Sequence, residues 1–166
     1  MLRKNKKFQI LFVCTGNACR SPMAEGFLKS MLPSDIKSKV NVVSAGVGTL
    51  GGSGATPFAI AAAWQDRIDI MRHRTKMVNG KLVKGSNLIL CMAEEHEEVL
   101  KAEYPEAKDK IFLLKTFDRH DEVKEDSIPD PIGQGMEVYK ACFDEIKAEI
   151  ERILPRLNEM IYRKIY

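Results

Sequence analysis

The sequence predicts an α/β fold: a single domain with a four-stranded parallel sheet and helices on both faces. Four short apolar runs have the composition of buried strands, and segments with helical signals lie between them. Strands that alternate with helices are typical of parallel sheets covered on both faces. The length of 166 residues is that of one ordinary domain. We therefore assign residues 1–166 to one domain, with residues 1–7 as a basic N-terminal tail.

Four apolar runs are the predicted strands. Each run is short and rich in aliphatic or aromatic residues, as buried strands are. The runs are KFQILFV at 7–13, VNVVSA at 40–45, NLILC at 87–91 and KIFLL at 110–114. Their order along the chain gives the alternation of strand and helix on which the fold class rests.

Two pairs of a hydroxyl residue and proline mark the starts of the first two helices. Serine or threonine suits the N-cap, and proline suits the first helical position. Ser21 and Pro22 therefore predict a helix that stops by Pro33. Thr56 and Pro57 predict a second helix over FAIAAAW.

Two further helices are predicted towards the C-terminus. The first covers EEHEEVLK at 94–101. From Tyr139 to Leu157, apolar side chains recur at intervals of three and four residues, which is the pattern of an amphipathic helix. Pro155 is expected to kink or end this last helix near Leu154.

Composition and charge exclude several classes of protein. Hydrophobic residues make up 45% of the chain and the formal net charge is +3, so no strong basic surplus points to nucleic acid. No segment approaches the roughly 20 apolar residues of a membrane span, and the apolar stretch after the basic start is short for a secretion signal. We expect a cytoplasmic monomer with reduced cysteines and no nucleic acid or membrane partner. No metal is expected, because no second close cysteine pair or histidine pair has ligand spacing.

The stretch VCTGNACRSPMAE lies between the first strand and the first helix and predicts an anion site. Ligands of parallel sheets bind beyond the carboxyl ends of the strands. Backbone N–H groups of a tight loop and the dipole of the following helix attract an anion there. Gly16 permits close backbone approach, Asn17 tolerates a left-handed conformation, and the planar fork of Arg20 fits two phosphate oxygens. We call Thr15–Arg20 the phosphate-binding loop.

Cys14 is the predicted nucleophile. It lies at the carboxyl end of the first strand, in the positive field of the same loop, and such a field favours the thiolate. The Ser21 hydroxyl can donate a hydrogen bond to its sulfur. A thiolate that faces a bound phosphoryl group indicates phosphoryl transfer in two covalent steps, without a cofactor.

The leaving group then needs a proton, and Asp130 is the predicted acid. It lies between Pro129 and Pro131, whose rings restrict the backbone on both sides. A Pro-Asp-Pro turn without chemistry is the alternative interpretation of this segment. Other candidate acids lie in the less constrained segment before it: Asp118, Asp121 and Asp126.

With these motifs in place, the chain resembles the low-molecular-weight protein-tyrosine-phosphatase family over about residues 8–155. The matching stretches are VCTGNACRSPMAE, the SAG that begins at Ser44, the HR that begins at His73, LILCM and DPIG. The resemblance implies that Cys14 is the nucleophile, that Arg20 binds phosphate and that Asp130 is general acid and then base. The phosphate-binding loop that the resemblance implies consists of Thr15, Gly16, Asn17, Ala18, Cys19 and Arg20. It also implies a polar network that supports this loop, made by Asn17, Ser21, Ser44 and His73.

The resemblance implies that the substrates are phosphorylated proteins, with phosphotyrosine and aryl phosphates as the default. Members that act on phosphotyrosine usually carry bulky apolar residues where Thr15 and Ala18 stand. Ile132 and Gly133 replace a frequent aromatic pair, and Leu50 stands at the matching rim position, so Leu50 and Ile132 are the predicted substrate rim. At Thr15 the chain is also similar to the bacterial protein-arginine-phosphatase branch of the family. Protein-arginine-phosphatase is therefore the alternative function. That branch typically has threonine where Ala18 stands.

Three other interpretations concern glycines and cysteines. The run GVGTLG at 46–51 fits a dinucleotide fingerprint, but the predicted helix starts only at Thr56, so a loop beside the cleft is favoured. An arsenate reductase of the same fold is less favoured, because Cys91 and Cys142 have the pattern of core residues. Cys19 either forms a redox pair with Cys14 or packs beneath the loop.

Overall fold

Four parallel strands form one sheet, which confirms the predicted fold class. The computed structural model describes residues 6–166, so most of the predicted basic tail lies outside the described residues. The strands are β1 (Phe8–Cys14), β2 (Val40–Gly46), β3 (Leu88–Cys91) and β4 (Ile111–Leu113), and their order in the sheet is β2-β1-β3-β4. The helices are α1 (Arg20–Met31), α2 (Pro57–Gln65), α3 (Gly80–Gly85), α4 (Glu94–Glu103) and α5 (Met136–Ile165).

The two faces of the sheet bury two separate apolar clusters. Successive strand residues point to opposite faces, so the odd and even positions of β1 belong to different clusters. Ile10 and Phe12 pack with residues of α1, α2 and α5 on one face. Leu11 and Val13 pack on the other face with Val83 of α3 and residues around α4. Both faces are therefore covered by helices, as predicted.

The starts of α1 and α2 differ from each other. Thr56 caps α2 as predicted, because its Oγ1 accepts a hydrogen bond from the Ala59 backbone N–H at 3.3 Å. The prediction of Ser21 as the cap of α1 is wrong: Cys19 occupies the cap position and the helix begins at Arg20. Ser21 lies inside the first turn, where its hydroxyl faces the Cys14 sulfur instead of the helix backbone.

The last helix continues past Pro155 to Ile165, so the helix does not end near Leu154, and the predicted alternative of a kink there stays a prediction. Beyond the proline, Leu157 and Ile161 are fully buried against the core. Their burial extends the apolar stripe of α5 by two turns and holds the helix together there. Within residues 6–166, none of the helices combines the length and the apolar character that a bilayer crossing requires.

Candidate active site

A cleft of about 170 Å³ opens at the carboxyl end of the central strand β1. The structure brings Cys14, Arg20 and Asp130 together there, although 110 positions separate Arg20 from Asp130. The lining residues are Cys14, Thr15, Gly16, Ala18, Cys19, Arg20, Asp130 and Ile132. Most of the phosphate-binding loop therefore faces one small cavity.

Cys14 lines the cleft and is almost completely buried. Its sulfur accepts a hydrogen bond from the Asn17 backbone N–H at 3.3 Å and lies 2.9 Å from Ser21 Oγ. Ser21 Oγ already accepts from Asn17 Nδ2 at 2.8 Å, so the serine hydrogen is free to point at the sulfur. Two hydrogen-bond donors, the Asn17 N–H and the Ser21 hydroxyl, thus converge on the Cys14 sulfur.

Asn17 fixes the shape of the loop from within the protein. Its φ of 55° is in the left-handed region, as predicted. Nδ2 donates to Ser21 and to Ser44 Oγ at 2.9 Å, while Oδ1 accepts from the Lys76 backbone N–H at 2.9 Å. The Asn17 carbonyl accepts from His73 Nε2 at 2.7 Å. The predicted supporting residues Ser21, Ser44 and His73 therefore all contact Asn17.

Glu25 extends this network and was not predicted from the sequence. Ser44 Oγ donates to Glu25 Oε2 at 2.5 Å, and Glu25 forms an ion pair with Lys29 one turn further along α1. Burial lowers the pKa of His73, although its hydrogen bond to the Asn17 carbonyl opposes the shift. The spacing of Glu25 and Lys29 fits an exposed helix pair, so the sequence carries no local signal for the contact with Ser44.

Arg20 is a buried cation whose hydrogen-bonding capacity is only partly used. Its side chain is 3% exposed. Nη1 donates to the Ile128 carbonyl at 2.9 Å, and Nη2 donates to Asp130 Oδ2 at 2.9 Å. Among the described residues, Nε has no hydrogen-bond partner. A buried unpaired donor costs about 1–3 kcal/mol, so this atom marks a position that suits an acceptor from outside the chain.

Asp130 is held in place by its own loop. The Ile128 N–H donates to the Met92 carbonyl at 2.7 Å, which fixes the loop against the end of β3. The Asp130 side chain is 37% exposed, and its Oδ1 accepts from the Ile132 N–H at 3.1 Å. One carboxylate oxygen therefore faces Arg20 and the other closes a turn.

The alternative acids lie elsewhere. Asp118 is 3.7 Å from Arg156, and Asp121 is 3.4 Å from Arg119. Neither of them, nor Asp126, is among the residues that line the cleft.

The predicted rim residues differ in position. Ile132 lines the cleft and is 56% exposed. Leu50 is fully exposed and is not among the residues that line the cleft. None of the described residues that line the cleft is aromatic, so its walls offer no aromatic stacking surface.

Three of the four cysteines are held as thiols by burial. Burial raises the pKa of Cys19, of Cys91 and of Cys142, in the last case to about 12. Cys91 belongs to the cluster on the opposite face from Cys14, which confirms it as a core residue. The Cys19 sulfur lies 3.4 Å from both Thr56 Oγ1 and the Tyr139 hydroxyl, and the residue also lines the cleft. Its redox pairing with Cys14 stays a prediction.

His96 is a second contact of the site that sequence reasoning missed. It is fully buried in the first turn of α4, and its Nε2 lies 2.8 Å from Thr15 Oγ1. The available signal was its place just after β3, because β3 is adjacent to β1 and their carboxyl ends share one edge of the sheet.

Comparison with known proteins agrees with this fold. The model of the family described as "Low molecular weight phosphotyrosine protein phosphatase" matches residues 9–163. The chain therefore belongs to the low molecular weight phosphotyrosine protein phosphatase family.

Individual relatives carry two different names. The chain is 33% identical over 152 residues to a protein-arginine-phosphatase of Bacillus subtilis, covering 90% of this chain and 97% of that protein. It is 34% identical over 149 residues to the low molecular weight protein-tyrosine-phosphatase Wzb of Escherichia coli, covering 90% and 95% of the two chains. The structure of the YwlE arginine phosphatase from Geobacillus stearothermophilus is similar, with a TM-score of 0.83, 36% identity and coverage of 94% and 96%.

Proposed function

We propose that the protein hydrolyses phosphotyrosine in phosphorylated proteins, and aryl phosphates, through a phosphocysteine intermediate. Cys14 is the nucleophile, Arg20 binds the phosphoryl group and Asp130 is the general acid and base. The observation that carries the proposal is the buried guanidinium of Arg20, whose Nε has no partner among the described residues. A phosphoryl oxygen satisfies this donor, and the planar fork suits a phosphate.

The first step transfers the phosphoryl group to sulfur. The phosphoryl oxygens take the place of Asp130 on Arg20 Nη2, where the carboxylate now lies at 2.9 Å. The Cys14 thiolate attacks phosphorus, the S–P bond forms and the bond from phosphorus to the leaving oxygen breaks. Asp130, released and protonated, gives its proton to that oxygen.

The second step returns the sulfur to its initial state. Asp130, now a carboxylate, takes a proton from water, and the water oxygen attacks phosphorus. The S–P bond breaks and inorganic phosphate leaves. The Asn17 N–H and the Ser21 hydroxyl, at 3.3 and 2.9 Å from the sulfur, stabilise the departing thiolate.

Phosphoarginine is the second candidate substrate. Two observations favour it: the described lining of the cleft has no aromatic residue, and relatives named arginine phosphatases cover nearly the whole chain. Phosphotyrosine is the default, because the matched family and the relative Wzb carry tyrosine phosphatase in their names. The proposal also places the protein in the cytoplasm as a monomer, and its four free thiols are typical of a reducing compartment.

Turnover of three substrates side by side tests the proposal: an aryl phosphate, a phosphotyrosine peptide and a phosphoarginine protein. We expect hydrolysis of the aryl phosphate and the peptide, with a high KM for the peptide because aromatic walls are lacking. Ala18 lines the cleft, so Ala18→Ile should favour phosphotyrosine and Ala18→Thr should favour phosphoarginine. A higher kcat/KM for phosphoarginine would replace the default substrate, and no turnover of any of the three would refute the phosphatase proposal.

A further inference from the structure

His96 has a defined tautomer, and this fixes the direction of its hydrogen bond to the loop. Its Nδ1 accepts from the Ala93 backbone N–H at 3.1 Å. A neutral imidazole has one acceptor nitrogen and one donor nitrogen, so the hydrogen is on Nε2. Because Nε2 lies 2.8 Å from Thr15 Oγ1, the imidazole donates and the threonine oxygen accepts.

The imidazole stays neutral at physiological pH. Burial, helped by the positive charge of Arg20, lowers the pKa of His96 to about 4. Protonation would put a hydrogen on Nδ1 and remove the acceptor for the Ala93 N–H. The same donor therefore faces Thr15 throughout the pH range in which a cytoplasmic enzyme works.

The Thr15 hydroxyl is left as a hydrogen-bond donor. Its oxygen accepts from His96 and, at 3.5 Å, from Arg20 Nη2. Among residues 6–166, no group accepts a hydrogen bond from this hydroxyl, and Thr15 lines the cleft. Its hydrogen is therefore available to an acceptor that enters the cleft.

We infer that His96 is a positioning residue for phosphoryl recognition. It occupies an acceptor site of the Thr15 hydroxyl and so directs the hydroxyl hydrogen to a phosphoryl oxygen. Thr15 thereby adds a donor to those of Arg20 and the loop backbone. The inference rests on the proposed function, because that function supplies the phosphoryl group as the ligand of the cleft.

Two substitutions of His96 separate its contact with Thr15 from its contact with Ala93. His96→Asn places an acceptor where Nδ1 lies but is too short to reach Thr15. His96→Gln places an amide donor close to the position of Nε2. We expect His96→Asn to weaken inhibition by inorganic phosphate about five- to tenfold and to lower kcat/KM by a similar factor, as the loss of one hydrogen bond does. His96→Gln should recover most of both losses.

Thr15→Val shows whether the effect passes through the hydroxyl. In the Thr15→Val background, His96→Asn should change phosphate inhibition by less than about twofold, because coupled contacts are not additive. Denaturant unfolding of each variant checks that it is folded. Equal losses in His96→Asn and His96→Gln, or an undiminished His96→Asn effect beside Val at position 15, would show a purely structural role and overturn the inference.

Calorimetric titration with inorganic phosphate separates this inference from the proposed function, because it needs no turnover. If the wild type binds phosphate but hydrolyses no substrate, the proposed function fails and the His96 comparison still stands on the binding constants. If hydrolysis occurs and phosphate binds equally to wild type and His96→Asn, only the inference fails.

Discussion

At the scale of single residues, Asn17 holds the phosphate-binding loop through all of its polar atoms. Both hydrogens of Nδ2, the side-chain oxygen, the backbone carbonyl and the backbone N–H have partners. These bonds offset the left-handed backbone, which costs of order 1–2 kcal/mol for a residue other than glycine. The loop is thus shaped before a ligand arrives, which is the condition for electrostatic stabilisation without reorganisation.

Cys14→Ser tests the nucleophile. The substitution should lower kcat by more than about a thousandfold, because a lost nucleophile removes the covalent route. Binding of inorganic phosphate should persist, since the loop amides and Arg20 remain. Steady-state kinetics and phosphate titration measure the two effects. Residual kcat above a thousandth of wild type would contradict the assignment.

Asp130→Asn tests the acid and also its contact with Arg20. We expect kcat to fall by about 10² to 10⁴, with the largest loss for poor leaving groups. Inorganic phosphate should inhibit this variant at lower concentration than wild type, because the carboxylate at 2.9 Å no longer competes for Nη2. Asp126→Asn, outside the cleft, is the matched control. The assignment is wrong if Asp126→Asn reproduces the leaving-group dependence and Asp130→Asn does not.

The candidate site residues that the sequence predicted, and that the structure brings into one cleft, each have a local signal. Cys14 follows an apolar run, Arg20 ends the loop before the predicted helix, and Asp130 lies between two prolines. Glu25 lacks such a signal, and the position of His96 just after β3 did not by itself indicate a contact with Thr15. His96 and Thr15 are 81 positions apart in the sequence, and the pairing of β1 with β3 brings their side chains into contact.

At the scale of elements, packing outweighed the local cost of Pro155. A proline inside a helix costs about 3 kcal/mol. Leu157 and Ile161 are fully buried beyond it, and each contributes about 1.5–3 kcal/mol by burial. The apolar periodicity of α5 was visible in the sequence. Whether burial of Leu157 and Ile161 outweighs the cost of Pro155 depends on the packing of the core, which the sequence alone does not show. The short helix α3 was not predicted, because its six residues are too few for a periodic pattern.

The contact between the end of β2 and the phosphate-binding loop can be tested at Gly46. A Cβ at this position would lie 2.4 Å from the Thr15 carbonyl oxygen and 3.0 Å from the Asn17 nitrogen. Gly46→Ala must therefore displace the loop, and we expect kcat/KM to fall at least about tenfold with a stability loss of about 1–3 kcal/mol. Gly54→Ala is the control, because its Cβ would meet only Arg74 Nη1 at 3.8 Å. Kinetics and denaturant unfolding give both quantities, and equal effects of the two variants would contradict this role for Gly46.

At the scale of the whole molecule, two histidines inside the fold link stability to pH. Burial lowers the pKa of both His73 and His96, the latter from 6.5 to about 4. Glu95 and Asp130 face His96 as well and oppose the effect of burial and Arg20. Between pH 4 and pH 6.5, which are close to the native and unfolded pKa values of His96, the unfolded chain binds a proton at this residue and the native chain does not. Stability from this site is therefore complete above about pH 6.5 and is lost as the pH falls towards 4.

His96→Gln should remove this part of the pH dependence. Between pH 7 and 5.5, the wild type should lose about 1 kcal/mol more free energy of unfolding than the variant, because a one-unit pKa difference is worth about 1.4 kcal/mol. Urea unfolding at both pH values measures the difference, and carboxyl groups common to both proteins cancel in the comparison. His120→Gln is the matched control, because it makes the same substitution at a histidine that is exposed in the native state. If His96→Gln keeps the wild-type dependence of the free energy of unfolding on pH, His96 does not take up a proton on unfolding between pH 4 and 6.5. That result would contradict a neutral imidazole beside Thr15.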